Sequence, residues 1–147
     1  MTNLFDMSNI ILQPERVEGA LIWLQNEFDS TDEFKTNNTQ SLIDRLNLLC
    51  NALPFVNSQM ALAKKKLNEA KVKAYHKLIT SSQANEQYFA PSLAKDYVAA
   101  LCSEEQYIYD NAERCSRTIV HLIDALRTCI SALKEETRAM SYSNNVV

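Results

Sequence analysis

The chain has very little glycine and proline, with one Gly and three Pro among its 147 residues. Turns with positive φ depend on glycine, so this scarcity argues against hairpin-rich β folds and favours long helices. It also argues against a Gly-rich phosphate-binding loop, and no nucleophile elbow and no H-E-x-x-H sequence occurs. The composition therefore predicts an all-α protein that does not cradle a nucleotide phosphate.

Long apolar runs are also missing. No run approaches the roughly 20 residues that a membrane-spanning helix needs. Residues 1–6 lack the basic region of a secretory signal. We therefore expect a cytoplasmic protein with no membrane partner.

The four cysteines form no CxxC pair. They lie far apart, at Cys50, Cys102, Cys115 and Cys129. Zinc ligands normally come in short spacings, so these residues are interpreted as small buried hydrophobes and no metal or cofactor is expected.

The strongest periodic pattern covers residues 103–140. Apolar residues repeat there at steps of three and four, as in an amphipathic helix about 55 Å long: Ile108, Ala112, Cys115, Ile119, Leu122, Leu126, Cys129, Leu133 and Met140. Ser103 and Gln106 have the spacing of a capping box that would start this helix. Such a long apolar face must be covered.

A second apolar seam, rich in alanine, follows Pro54 and predicts the partner helix. Its members are Val56, Met60, Ala63, Leu67, Ala70 and Ala74. We predict an antiparallel hairpin of residues 55–80 and 104–140, with helices at 14–28, 41–52 and 92–101 packed against it. Pro54 either kinks a continuous helix or starts a new one. Gly19 indicates either close packing or mere tolerance.

The remaining segments are predicted as connections. Residues 29–40 are a polar linker, and residues 80–91 reverse the chain, with Tyr88 and Phe89 tucked back. In the short helix, Ser92 is interpreted as the N-cap, and its inner face as Leu93, Tyr97, Ala100 and Leu101. Residues 1–140 form one helical domain, and residues 141–147 form a frayed tail. The long helix should outrun its partner by about ten residues, leaving apolar surface for the N-terminal helices or for another copy.

Charge is distributed unevenly along the chain. The formal net charge is −5 for residues 1–53, +5 for residues 54–81 and −3 for residues 82–147. The candidate anion-binding residues lie in the middle segment: Lys64, Lys65, Lys66, Lys71, Lys73, His76 and Lys77. They favour either a phosphate-binding face or a solvated helix surface. No arginine occurs in residues 46–113, although arginine is the better phosphate ligand.

Other motifs have simple structural interpretations. Ser92 and Lys95 match an SxxK sequence, but its companion motifs are absent. His121 and Asp124 lie one turn apart and are interpreted as a surface pair. Glu113 and Arg117 are spaced for a favourable ion pair. None of these supplies a catalytic set, so the chain is predicted not to be an enzyme.

Three segments resemble a known class of proteins. They are residues 62–71 (LAKKKLNEAK), 93–97 (LAKDY) and 126–136 (LRTCISALKEE). Together with the polar reversal between them, they resemble small helical-hairpin proteins of tailed phages and prophages, often encoded beside recombination and replication genes. The resemblance covers about half of the chain, and residues 1–54 depart from it. It implies an accessory role in the host cytoplasm and supplies no catalytic residues.

Three functions are consistent with the sequence. The first is a non-enzymatic protein-interaction protein, either a recombination or replication accessory or an inhibitor of a host factor. The second is nucleic-acid binding through the face between Lys64 and Lys77. The third is a small-ligand site between helices, for which His76, His121 and the tyrosines offer chemistry. A protein partner is expected, and a homo-oligomer is an alternative.

Overall fold

The computed structural model describes residues 11–28, 38–85 and 90–145. Over these ranges the fold is all-α, with helices α1 (Pro14–Phe28), α2 (Thr39–Asn85), α3 (Pro91–Leu101) and α4 (Ser103–Asn144). The antiparallel pair α2 and α4 makes the principal contact, while α1 packs mainly on α4 and α3 mainly on α2. The predicted all-α architecture is confirmed.

Helix α2 is continuous through Pro54, so Pro54 does not start a new helix. Proline has no N–H to donate to the carbonyl of Cys50 one turn earlier. The hydroxyl of Ser58 donates to the Pro54 carbonyl at 2.9 Å. The predicted helices at 41–52 and 55–80 are therefore two parts of one 47-residue helix.

Helix α2 is longer at both ends than the sequence pattern predicts. The Oδ1 of Asn38 accepts from the backbone N–H groups of Gln40 at 3.1 Å and Ser41 at 3.4 Å, which is the geometry of an N-cap. The linker prediction is therefore wrong for residues 39 and 40, and residues 29–37 lie outside the described ranges. The reversal prediction is wrong for residues 80–85, which are helical. Tyr88 and Phe89 lie outside the described residues.

Helices α3 and α4 meet at a single residue, Cys102. Its N–H donates to the carbonyl of Val98 at 3.1 Å, and its own carbonyl accepts from the N–H of Gln106 at 2.9 Å. Hydrogen bonding thus passes from one helix into the next. The capping-box prediction is wrong, because no side chain caps α4 and the Gln106 amide instead donates to Asp110 at 2.8 Å.

The core is divided into two clusters along the α2–α4 pair. The larger contains buried residues of α1, the first half of α2 and α4: Val17, Leu24, Leu42, Leu49, Val56, Ala112, Cys115, Ile119, Ile123, Leu126 and Ile130. The smaller joins α2 to α3 and contains Leu67, Ala74, Leu78, Val98 and Cys102. We call these regions the α1 end and the α3 end of the bundle.

The last part of α4 departs from its predicted seam. Met140 is exposed, as is every described residue from 134 onward. Residues 141–144 of the predicted tail are helical, because α4 continues to Asn144, and residues 146–147 lie outside the described ranges. Helix α2, with 47 residues, is longer than the partner helix that was predicted and also longer than α4, with 42.

The cysteines follow the prediction in part. Cys102 and Cys115 are buried and Cys129 is half-buried, but Cys50 is exposed. Burial raises the pKa of the Cys115 thiol to about 11, because the apolar surroundings disfavour the thiolate. No helix within the described ranges has the length and apolarity to cross a membrane.

Candidate interaction surfaces

The predicted lysine site lies on the part of α2 that follows Pro54. Six of its seven basic residues are exposed, and Lys71 is half-buried. Successive residues of an α-helix are rotated by about 100°, so this set does not form one face. Lys66, Lys73 and Lys77 share one flank, whereas Lys64 and Lys71 share the opposite flank.

Apolar side chains lie between the basic residues on the outside of α2. Val72 and Ile79 are 69% and 54% exposed, and Tyr75 is also exposed. Their spacing of three and four residues places them on one helical face with Lys65. We call Lys65, Val72, Tyr75 and Ile79 the α2 stripe. Apolar residues in water at this spacing are typical of a surface that another chain covers.

Helix α3 has an outward apolar row as well. Leu93 and Leu101 are 55% and 51% exposed, and Tyr97 is also exposed. We call these three residues the α3 stripe. The prediction that these residues and Ala100 form the inner face is wrong: Val98 is the buried residue of this helix and Ala94 packs beside it. The N-cap is Ala90 rather than Ser92, and Ser92 and Lys95 are both exposed.

Helix α1 carries an acidic outer face. Glu15 and Glu18 are exposed, and one turn further Ile22 is 61% exposed. Val17 and Leu24 point into the core from the other side of α1, so Glu15 and Glu18 face away from the bundle, while Ile22 borders the groove between α1 and α4. We call Glu15, Glu18 and Ile22 the α1 face. An added Cβ at Gly19 would meet nothing within 4 Å, so this glycine is tolerated rather than required for close packing.

A buried amide fixes the chain that enters α1. The side chain of Gln59 is fully buried. Its Nε2 donates to the carbonyl of Ile11 at 2.9 Å, and its Oε1 accepts from the N–H of Gln13 at 2.6 Å. Both backbone groups are thereby satisfied inside the protein. Sequence reasoning missed Gln59, because a glutamine beside an apolar seam carries no signal of its partner 46 residues away.

Shallow grooves lie beside the helices. One of about 360 Å³ separates α1 from α4 and is lined by Leu21, Ile22, Leu24, Gln25, Arg114, Thr118 and Leu122. A second, of about 330 Å³, lies between Ile11–Leu12 and α2 beside Lys65 and Lys66. Both are open to solvent.

Both histidines that were considered for a small-ligand site, His76 and His121, are exposed. His121 lines a depression of about 370 Å³ whose described walls all come from α4. His121 and Asp124 are both exposed, and no hydrogen bond joins them. The predicted Glu113–Arg117 pair is present, with 2.6 Å between Oε1 and Nη2. Because most of Arg117 is exposed, this pair adds little stability.

The described surface thus includes two mixed apolar and charged faces, on α1 and α2, and an apolar row on α3. Within the described residues, no group of three or more His, Cys, Asp or Glu side chains is arranged to hold a metal ion. Comparison with protein-family models, with curated proteins and with solved structures gave no match to this chain.

Proposed function

We propose that this chain is a non-enzymatic interaction protein whose protein partner binds the α3 stripe. The observation that carries the proposal is the row of Leu93, Tyr97 and Leu101 at four-residue spacing on the outside of an 11-residue helix. Helices that dock into a groove on another protein present anchors at such spacing. Full burial of one leucine side chain is worth about 1.5–3 kcal/mol.

The α3 stripe is held in a fixed orientation. Val98 and Cys102 anchor the opposite side of α3 to Leu67, Ala74 and Leu78 of α2. Hydrogen bonds through Cys102 connect α3 directly to α4. A preorganised helix loses less conformational entropy on binding than a flexible segment does.

The biological setting follows from the sequence resemblance. A phage or prophage protein of this kind would serve as a recombination or replication accessory, or as an inhibitor of a host factor. In either role the chain acts by occupying a partner's surface. A phage or prophage origin and a location in the host cytoplasm are both part of this proposal, and the sequence resemblance supports them.

The test is affinity capture from host and phage lysates with wild type and two variants. Leu93→Ser with Leu101→Ser removes the outer leucines, whereas Ala99→Ser adds the same hydroxyl to another exposed position on the same helix. We expect a protein that is captured by wild type and by Ala99→Ser and lost with the double variant. Capture of the same proteins by all three would contradict the proposal.

Nucleic-acid binding is the second candidate, because Lys66, Lys73 and Lys77 are exposed on one flank of α2. Three engaged lysines would give a log–log salt slope near −2 on single strands, at roughly −0.7 per phosphate. Replacing them with Gln keeps helix propensity while removing the charge. Fluorescence anisotropy with labelled single- and double-stranded DNA compares wild type with this triple variant. Salt-sensitive binding that the triple variant loses would favour this candidate.

A further inference from the structure

Two exposed faces of the chain carry opposite charge. The α1 face contributes Glu15 and Glu18 from a segment with a formal net charge of −5. The α2 stripe lies in the segment of +5, where six lysines stand against the single acid Glu69. Neither Glu15 nor Glu18 forms an ion pair with a described residue.

Each of these two faces also contains an apolar anchor at the same distance from its charge. On α1, Ile22 follows Glu15 by seven residues, and on α2, Val72 follows Lys65 by seven residues. Seven residues are two helical turns, or about 10.5 Å. Two parallel helices would therefore bring Glu15 to Lys65 and Ile22 to Val72 at once.

We propose that the α1 face of one copy of this chain packs on the α2 stripe of a second copy. Glu15 pairs with Lys65, and Ile22 packs against Val72 and Tyr75. Glu18 lies opposite Asn68, within reach of Lys64 on the neighbouring flank. The charges select the parallel orientation, and the apolar residues supply the buried area.

The contact must form between copies. Within one chain, α1 is held against α4 by its other side, through Val17 and Leu24, and its entry is fixed by Gln59. Lys65 lies beside Ile11 and Leu12, but neither Glu15 nor Glu18 forms an ion pair with it in the structure. Because the two contacting faces differ, the association is heterologous: it continues from copy to copy unless the rotation closes a ring.

The contact has few anchors, so we expect weak association that appears at high protein concentration. Exposed ion pairs are screened by salt, and the average mass should fall as ionic strength rises. Sedimentation equilibrium over a range of concentrations, at low and high salt, measures this. A wild-type protein that remains monomeric at low salt and high concentration overturns the proposal and leaves the α2 stripe to a different partner.

Two variants, each with one of the two faces disabled, test the pairing of the faces. The first, Glu15→Gln with Ile22→Ser, disables the α1 face. The second, Lys65→Gln with Val72→Ser, disables the α2 stripe. Each variant alone should be monomeric, since every contact needs one intact face of each kind. Mixed in equal amounts, they should form a 1:1 dimer with twice the monomer mass and nothing larger.

Controls separate this result from damage to the fold. All four substituted residues are exposed, so both variants should keep the helical circular dichroism spectrum of wild type. Val120→Ser with Glu136→Gln changes the same residue types at exposed positions on α4 and should associate as wild type does. Single variants that still associate, or a mixture that stays monomeric while wild type associates, would show that these two faces do not meet.

Discussion

The two ends of the bundle are built from the same two long helices but differ in how much they bury. At the α1 end, large side chains such as Leu42, Leu49, Ile119 and Leu126 are fully or almost fully buried. At the α3 end, the buried set is small and includes Ala74 and Cys102, with Ala70 and Ala94 beside it. Alanine lets helices approach closely but removes little apolar surface from water.

Several large apolar residues at the α3 end lie on its surface rather than in its core. Val72 and Ile79 on α2, and Leu93 and Leu101 on α3, are all more than half exposed. Ile22 and Leu48 at the α1 end are also more than half exposed, so the two ends differ in the size of the buried core rather than in exposed apolar surface. The α3 end, with the smaller core, has less stability of its own and should open locally before the rest.

The largest expected effect comes from matched leucines at the two ends. Leu126→Ala removes a fully buried side chain at the α1 end and should lower the free energy of unfolding by about 2–5 kcal/mol. Leu78→Ala at the α3 end should lower the free energy of unfolding by about 2 kcal/mol or less. The cluster around Leu78 is small and rich in alanine, so it can close more easily around the deleted side chain. Urea denaturation followed by circular dichroism measures both. Equal losses would remove the distinction between the ends.

A smaller effect is expected from the buried amide at the α1 end. Gln59→Ala leaves the carbonyl of Ile11 and the N–H of Gln13 without their partner. The loss should be about 1–3 kcal/mol of unfolding free energy. Gln40→Ala, which removes an exposed amide bonded to Asp44, is the matched control and should change stability by less than about 0.5 kcal/mol. Similar values for both variants would mean that Gln59 does not anchor the entry to α1.

Glycine and alanine exchanges probe the helices themselves. Gly19→Ala places a methyl group in open space and should stabilise the protein by about 1 kcal/mol. The reverse exchange at the α3 end, Ala99→Gly, should cost less than about 1 kcal/mol in the global transition, because α3 opens before it. Thermal and urea denaturation give both values. A full loss of about 1 kcal/mol for Ala99→Gly would show that α3 unfolds together with the rest.

A pH dependence of stability should also belong to the α1 end. The folded protein holds the Cys115 proton more tightly than the unfolded chain does, since its pKa is raised from 9.0 to about 11. The resulting stability is fully present below pH 9 and is lost as pH rises towards 11. Stability measured from pH 8 to 10.5 should fall less steeply in Cys115→Ala than in wild type. Parallel curves would contradict this origin.

Thiol labelling at a single pH compares how readily the two ends of the bundle open. At pH 8, Cys50 should react with a thiol reagent at once, because it is exposed, whereas buried Cys102 and Cys115 should react only as the protein opens. If the α3 end opens first, Cys102 should react before Cys115. The reverse order would contradict that view of the two ends.

Sequence patterns were sufficient for the helices because helical period and the scarcity of glycine are local properties. The bounds of α1 were predicted as found, and the seam from Ala112 to Leu126 is buried as expected except at Leu122, which is half-buried. The pattern failed at α3, where Leu93 and Leu101 were assigned inward on apolar character alone. An 11-residue helix with apolar residues on several sides does not indicate which side faces the core.

The candidate surfaces depended still more on the tertiary structure. The lysines of residues 64–77 were identified from the sequence, and whether they bind an anion stays a prediction. Their combination with Val72, Tyr75 and Ile79 in one stripe follows only from seeing which residues remain exposed. In an alanine seam, the sequence alone does not show which neighbouring apolar residues a partner helix covers.

The sequence by itself determined that this protein is built from long amphipathic helices, because periodicity and composition act through local backbone preferences. Only the tertiary structure decided that α2 continues through Pro54, that Gln59 holds the entry to α1, and that apolar side chains are left outside at the α3 end. Each of these depends on contacts between residues far apart in the chain. Such contacts are set by the packing of whole helices, which local patterns do not specify.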